Sequence, residues 1–218
     1  MSRLIVSQHP LVRALVTQLR DATTPPAAFR GLVERLTALL LHDALADVAT
    51  VGVRVATPLA QVDGTALAAP IVLVPILRAG LGMADGALGL LPDAEVRHLG
   101  LYRDEATLRP VVYYDRASGR SLAGATVIVL DPMLATAGSA IAAIDLLKER
   151  SKATDVRFVG LIGAPEGVAA LQAAHPTVPI HLAALDARLT GGDDPWPAGY
   201  IVPGLGDAGD RQFATSAD

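Results

Sequence analysis

The 218-residue chain has no cysteine. A disulfide framework, a zinc-thiolate site and a thiol nucleophile are therefore excluded. It has no long uninterrupted apolar run either. The best stretches break early, Ile71–Leu77 at Arg78 and Val127–Leu130 at Asp131-Pro132, far short of the ~18 residues a membrane helix needs. Residues 1–10 have no apolar core of the kind a secretion signal carries. A soluble, cytoplasmic chain is the expectation. Excess positive charge is also missing. With 18 Lys+Arg against 22 Asp+Glu, the net charge is −4, so the field that neutralises nucleic-acid phosphates is absent. Lysine occurs only at 148 and 152, and aromatics make up 4%. No period of 20–50 residues repeats, which removes solenoids and propellers.

What is present is aliphatic. Hydrophobic residues are 51% of the chain, and the mean hydropathy is +0.42. That excludes disorder and leaves a question of where so much apolar surface goes. The length suits one domain, 1–218. Its first fifth, about 9–49, reads as helical. Leu11, Leu15 and Leu19 share one face, Thr24 precedes Pro25-Pro26 as a helix cap, and Leu32, Leu36, Leu39 and Leu40 form a second stripe. Val51–Val55 alternates as a short strand. Thereafter apolar runs (Ile71–Leu77, Glu95–Leu101, Thr126–Leu130, Val156–Gly163, Ile180–Leu185) alternate with helical patterns (Gly80–Leu91, Gly138–Arg150, Glu166–Ala174). Runs apolar at every position fit strands covered on both faces. The alternation predicts an α/β fold with a mostly parallel sheet flanked by helices. Ligands of such sheets bind beyond the carboxyl ends of the strands.

Polar residues that stop the strands are therefore the ones to weigh. Thr126–Leu130 ends in Asp131-Pro132-Met133-Leu134-Ala135-Thr136-Ala137-Gly138-Ser139 and then a helix. Small residues let backbone N–H groups converge, the helix start adds its positive dipole end, and two hydroxyls add donors. That is an anion cradle suited to a phosphate monoester, with a carboxylate beside it for sugar hydroxyls or a metal. The local features equally fit an ordinary β-to-α turn with a Ser/Thr cap. It is neither a Walker loop nor a dinucleotide fingerprint. Arg78, followed by Gly80 and Gly82, suits a polyanion or a plain surface loop. Glu95–Leu101 runs through Tyr102-Arg103 toward Ala106–Tyr114, a projecting hairpin with Arg103 at its base. Near the end, Gly204, Gly206 and Gly209 frame Asp207 in an apolar segment whose backbone could read a planar amide-like ligand. It could also be a glycine-rich chain end. The five histidines (9, 42, 98, 175 and 181) show no metal-ligand spacing and read as surface or satisfied side chains. No Gly-x-Ser-x-Gly elbow occurs.

Together, VPILRAGLGM (Val74–Met83), YRDEATLRPV (Tyr102–Val111), VLDPMLATAGS (Val129–Ser139), APEGVAALQAAHP (Ala164–Pro176) and YIVPGLGDAGD (Tyr200–Asp210) resemble the uracil phosphoribosyltransferases of the type I phosphoribosyltransferase superfamily. The resemblance runs from about His9 to Phe213. It implies a parallel sheet with flanking helices, a projecting hairpin and a small C-terminal hood (about 186–213). It also implies transfer of a phosphoribosyl group from 5-phosphoribosyl 1-diphosphate (PRPP) to uracil, giving UMP and diphosphate in pyrimidine salvage. By position, Arg78, Arg103, Asp131 and Asp207 would be catalytic. Arg78, Arg103, Asp131 through Ser139 and Asp207 would bind PRPP. Ile201, Gly206, Asp207 and Ala208 would bind uracil. Mg²⁺ would ride on the diphosphate with no direct protein ligand. GTP is a candidate effector, and a homodimer at least is implied, its interface expected at the leucine-rich N-terminal helices (Leu36, Leu39, Leu40, Leu45). Two alternatives stay open: transfer to another nucleobase, and a nucleotide-sensing regulator that binds RNA, which the acidic balance disfavours.

The chain departs from the family pattern in three places. Ala137 stands where glycine is usual. Arg188 and Thr190 replace glycine and asparagine before the base loop. Gly191–Ala198, containing Trp196, is an insertion. If position 137 needs a positive φ, alanine costs of order 1 kcal/mol there.

Overall fold

A computed structural model of the chain describes residues 3–103 and 110–215, with the backbone alone at Arg103 and Pro110. The elements run β1 (Leu4–Val6), α1 (Pro10–Arg20), α2 (Pro26–Ala44), β2 (Thr50–Ala56), β3 (Gln61–Leu67), β4 (Ile71–Leu77), α3 (Leu81–Leu90), β5 (Glu95–Val96), β6 (Leu99–Arg103), β7 (Pro110–Asp115), β8 (Thr126–Leu130), β9 (Met133–Leu134), α4 (Gly138–Ser151), β10 (Asp155–Gly163), α5 (Pro165–Ala174), β11 (Ile180–Leu185), β12 (Arg188–Leu189), β13 (Ile201–Val202) and α6 (Ala208–Phe213). The main sheet has the order β1-β11-β10-β8-β4-β6-β7. It is parallel throughout except for the antiparallel edge pair β6–β7.

The continuous apolar runs follow from burial on both faces. In β4 and β8, Leu73, Ile128 and Leu130 pack with α1, α2 and α3, while Val72, Val74, Val127 and Val129 pack on the other side with α4. Successive strand side chains point to opposite faces, so a strand between two helical layers is apolar at every position. The sheet and its covering helices account for most of the aliphatic excess.

Several expectations change. The leucines expected at a subunit interface belong to the core. Leu36 and Leu40 are fully buried and Leu39 and Leu45 pack against the same cluster, because α2 lies between the sheet, α1 and α3. Thr24 does not cap α2. Pro25 occupies that position, and the Thr24 hydroxyl donates back to the Gln18 carbonyl (2.7 Å) at the end of α1. Residues 56–70, to which the sequence assigned no element, contain β3, paired antiparallel with β2 in an exposed two-stranded arm. Glu95–Leu101 is two short strands, and residues 208–213 form a helix. The pairing of β6 with β7 supports the expected hairpin, whose tip, residues 104–109, lies outside the described residues. Not every histidine is exposed or satisfied. His181 is buried, its Nδ1 has no partner, and burial with the nearby Arg157 charge pushes its pKa down.

Candidate functional site

The site forms where β4 and β8 end and the C-terminal segment folds back over them. β8 delivers Asp131 to the sheet edge, and the chain then makes the two-residue strand β9 beside β10 before entering α4. Residues Asp131 and Met133–Ala140 enclose a cavity of about 90 Å³, about three times one water's share of liquid volume and enough for a phosphate group. The first internal bond of α4 runs from Ile141 N–H to the Ala137 carbonyl (2.9 Å). The N–H groups of Gly138, Ser139 and Ala140 are thus the orphan donors of a helix start. The Thr136 and Ser139 hydroxyls carry no hydrogen-bond partner among the described residues. Ala137 sits at φ 65°, ψ 2°, in the left-handed region, and no side chain caps the helix. The Ser/Thr-capped turn is therefore not formed here.

Asp131 is the perturbed group of the site. Burial pushes its carboxyl up to about 7, Met133 N–H opposes the shift weakly, and the nearby Asp207 carboxylate adds to it. A carboxyl whose charge is costly until something positive or donating arrives is poised for a ligand.

Arg78 stands in the turn after β4. A Cβ on Gly80 would lie 2.7 Å from both the Ile76 and Leu130 carbonyls, so glycine is what lets this turn pack against the end of β8. The Arg78 guanidinium reaches across to α6, donating to Asp210 Oδ1 (3.0 Å) and toward Thr215 Oγ1 (3.4 Å). Asp207 caps α6, its Oδ1 accepting from Asp210 N–H (2.9 Å). Arg78, Asp131 and Asp207 are thus brought together. Arg103 lies at the end of β6, and its side chain is outside the described residues.

The hood is fixed from below. Asp186, buried, accepts Gly204 N–H (2.9 Å) and pairs through both carboxylate oxygens with Arg20, which also donates to the Gly204 carbonyl (2.7 Å). Gly204 has φ +66°, and a Cβ there would lie 2.1 Å from the Ile201 carbonyl. Arg211 donates to the Leu19 and Leu205 carbonyls (2.7 and 2.9 Å). These bonds present Ile201 on β13 and the backbone of Gly206–Ala208 as one wall. Sequence reasoning missed Arg20, Arg211 and Asp210. Arg20 acts from α1, distant in the chain, while Asp210 lay inside a quoted motif and Arg211 directly after it. The three departures also find places. Arg188 makes a two-point pair with Asp194 (both 2.7 Å), and the Thr190 hydroxyl donates to the Pro197 carbonyl (2.6 Å) and accepts Tyr200 N–H (2.8 Å). The substitutions and the insertion therefore form one strapped loop ahead of Ile201.

A larger cavity of about 500 Å³, lined by Leu67, Ile71, Leu90 and Glu95 among others, lies at the opposite, amino-terminal edge of β4. None of the candidate residues faces it.

The family model for uracil phosphoribosyltransferase matches residues 6–215. The uracil phosphoribosyltransferase of Roseiflexus castenholzii is 54% identical over 99% of this chain and all of its own length. That of Acholeplasma laidlawii is 50% identical with the same coverage. The solved structure of an Aquifex aeolicus protein superposes with a TM-score of 0.88 at 36% identity, covering 99% of this chain and all of that one. Adenine phosphoribosyltransferase from Leishmania donovani, at 14% identity and a TM-score of 0.53 over 90% of this chain and 89% of its own, shares the fold.

Proposed function

The chain belongs to the uracil phosphoribosyltransferase family, and from that premise we propose that the edge formed by Arg78, Asp131–Ser139 and the 201–208 segment is where its reaction takes place. The enzyme transfers the phosphoribosyl group of PRPP to uracil and releases UMP and diphosphate, a salvage step. The observation that carries the site assignment is the convergence of the phosphate-sized cradle at 133–140, Asp131, Arg78 and Asp207 at one sheet edge.

In this reading the N–H groups of Gly138–Ala140 and the Thr136 and Ser139 hydroxyls hold the 5′-phosphate. Asp131 accepts the ribose hydroxyl protons. With the sugar fixed at both ends, its anomeric carbon faces the uracil wall, so most of the rate acceleration is positioning. Displacement of diphosphate passes through an oxocarbenium-like state with negative charge growing on the leaving group, and the Arg78 guanidinium lies where that charge appears. The family resemblance assigns the same role to Arg103, at the end of β6. Backbone groups of Ile201 and Gly206–Ala208 read the uracil edge. An amino group in place of the 4-oxygen, as in cytosine, would set donor against donor.

The described residues offer no cluster of three His, Asp or Glu side chains able to hold a metal. Two neighbouring carboxylates, Asp131 and Asp207, repel one another beside the place proposed for the diphosphate. That donor set fits Mg²⁺ carried on the diphosphate with these two groups alongside, where it supplies positive charge to the leaving group. The chain is one phosphoribosyltransferase domain, and it works in the cytoplasm, because a phosphorylated donor does not cross a bilayer unaided. The surface that suits a second copy is the arm β2–β3, on which Val51, Val53, Val55, Val62 and Leu59 are all exposed, Leu59 at 96%. An apolar two-stranded arm is not independently stable in water. GTP activation rests on the family resemblance and is checked by turnover with and without GTP. Incubation of the protein with Mg²⁺, PRPP and labelled uracil yields labelled UMP. Labelled product from hypoxanthine, orotate or cytosine in its place would move the assignment to another base.

A further inference from the structure

The Arg78–Asp210 contact joins the two halves of the site, and nothing in the reaction outlined above uses Asp210. Arg78 belongs to the donor half. Asp210 lies three residues past Asp207, on the helix that follows the uracil wall. Its carboxylate takes the Arg78 Nη2 donor at 3.0 Å and the Thr215 hydroxyl at 2.6 Å on the same oxygen, while Thr215 Oγ1 faces Arg78 Nη1 at 3.4 Å. The three side chains close a small ring. The helix itself is docked independently of that ring. Gln212, fully buried, donates to the Ala79 and Ala208 carbonyls (2.9 and 3.0 Å), and Arg30 donates to the Gln212 carbonyl (2.6 Å). Asp210 is therefore not what keeps α6 in place. The Arg78 side chain is 55% exposed, so without an anchor it would sample many rotamers.

We propose that Asp210, steadied by Thr215, is a positioning residue that aims the Arg78 guanidinium at the diphosphate of PRPP and ties that aim to the uracil-bearing helix. One guanidinium N–H pair is spent on the ring, and the remaining donors face the donor substrate. This deepens the site assignment above and rests on it. The alternative is that Asp210 competes with diphosphate for Arg78. The two differ in sign, because loss of an aiming group weakens PRPP binding and loss of a competitor strengthens it.

The test is steady-state kinetics on Asp210→Ala, Asp210→Asn, Thr215→Val, Arg78→Ala and the Arg78/Asp210 double alanine variant, with thermal melts alongside. Aiming predicts that Asp210→Ala raises KM for PRPP on the order of tenfold while KM for uracil moves little. Asparagine, which keeps the acceptor without the charge, restores most of the loss. Thr215→Val gives a smaller rise and serves if Asp210→Ala melts early. In the double variant the Asp210 change adds nothing to that of Arg78→Ala. Unchanged or tighter PRPP binding in Asp210→Ala, or an asparagine variant as poor as the alanine one, overturns the proposal. An unchanged KM for PRPP in Arg78→Ala overturns the site assignment instead.

Discussion

Replacing Ala137 with glycine tests whether the cradle's shape belongs to the fold. Ala137 holds φ 65°, ψ 2°, a conformation that costs an L-residue ~1–2 kcal/mol. Glycine removes that cost. It also removes a methyl group that is 5% exposed and packed in the α4-side core, worth ~0.8 kcal/mol, and it gives the unfolded chain extra freedom worth about 0.4–1 kcal/mol. Gains and losses nearly cancel, so the melting temperature should stay within ~4 °C of wild type. Affinity follows a separate argument. The left-handed turn is held by the chain's own contacts, the Ile141 N–H bond to the Ala137 carbonyl and the buried methyl. Strain fixed in this way is present before and after PRPP binds, and it cancels from the binding free energy. Kd for PRPP in Ala137→Gly should therefore lie within about threefold of wild type, under ~1 kcal/mol. Calorimetric titration with PRPP and Mg²⁺ checks it. A glycine variant binding tenfold more tightly would refute the reasoning, because the cost of the turn would then fall on the bound state alone.

Other expectations follow from the same geometry. Because Asp131 is raised to about 7, the folded protein holds a proton between roughly pH 4 and 7 that the unfolded chain has released. This contribution to stability is fully present at low pH and is lost as the pH rises through 7. The stability of Asp131→Asn relative to wild type should then increase from pH 5 to pH 8 in denaturant melts, and a constant difference would contradict the shift. In wild type, kcat/KM for PRPP should climb by up to about tenfold per unit below pH 7 and level off above it. Arg188→Gly should free the strap to Asp194, lower the fluorescence anisotropy of Trp196 and raise KM for uracil by about threefold, with KM for PRPP unmoved; a change in PRPP alone would place the loop elsewhere. Val53→Asp on the exposed arm should turn a dimer into a monomer by light scattering at micromolar protein, and a monomeric wild type would remove the arm as an interface.

The strands were legible because burial on two faces leaves an unbroken apolar run, as in Ile71–Leu77 and Thr126–Leu130, and because each such run stops at a polar residue where the sheet meets solvent. That same rule brought out Arg78 and Asp131. The arm β2–β3 was not legible beyond Val51–Val55, since its residues are exposed on both faces and carry no inward pattern. The leucines of α2 misled in the opposite direction. A stripe in sequence gives the number of apolar faces on a helix, and not how many neighbours cover them, which here include α1, α3 and the sheet. Within the glycine-rich motif the sequence singles out Asp207 and passes over Asp210. The fold gives each a place, with Asp207 capping α6 and Asp210 holding Arg78. Arg20 and Asp186, 166 residues apart, carried no signal linking them.

The most direct test of the account is a crystal structure with UMP bound. The account predicts the phosphate within hydrogen-bond distance of the Gly138–Ala140 N–H groups, the ribose hydroxyls on Asp131 and the base edge against Ile201 and Gly206–Ala208. A nucleotide seated instead in the cavity at the amino-terminal edge of β4, with the 133–140 cradle holding only solvent, would contradict it.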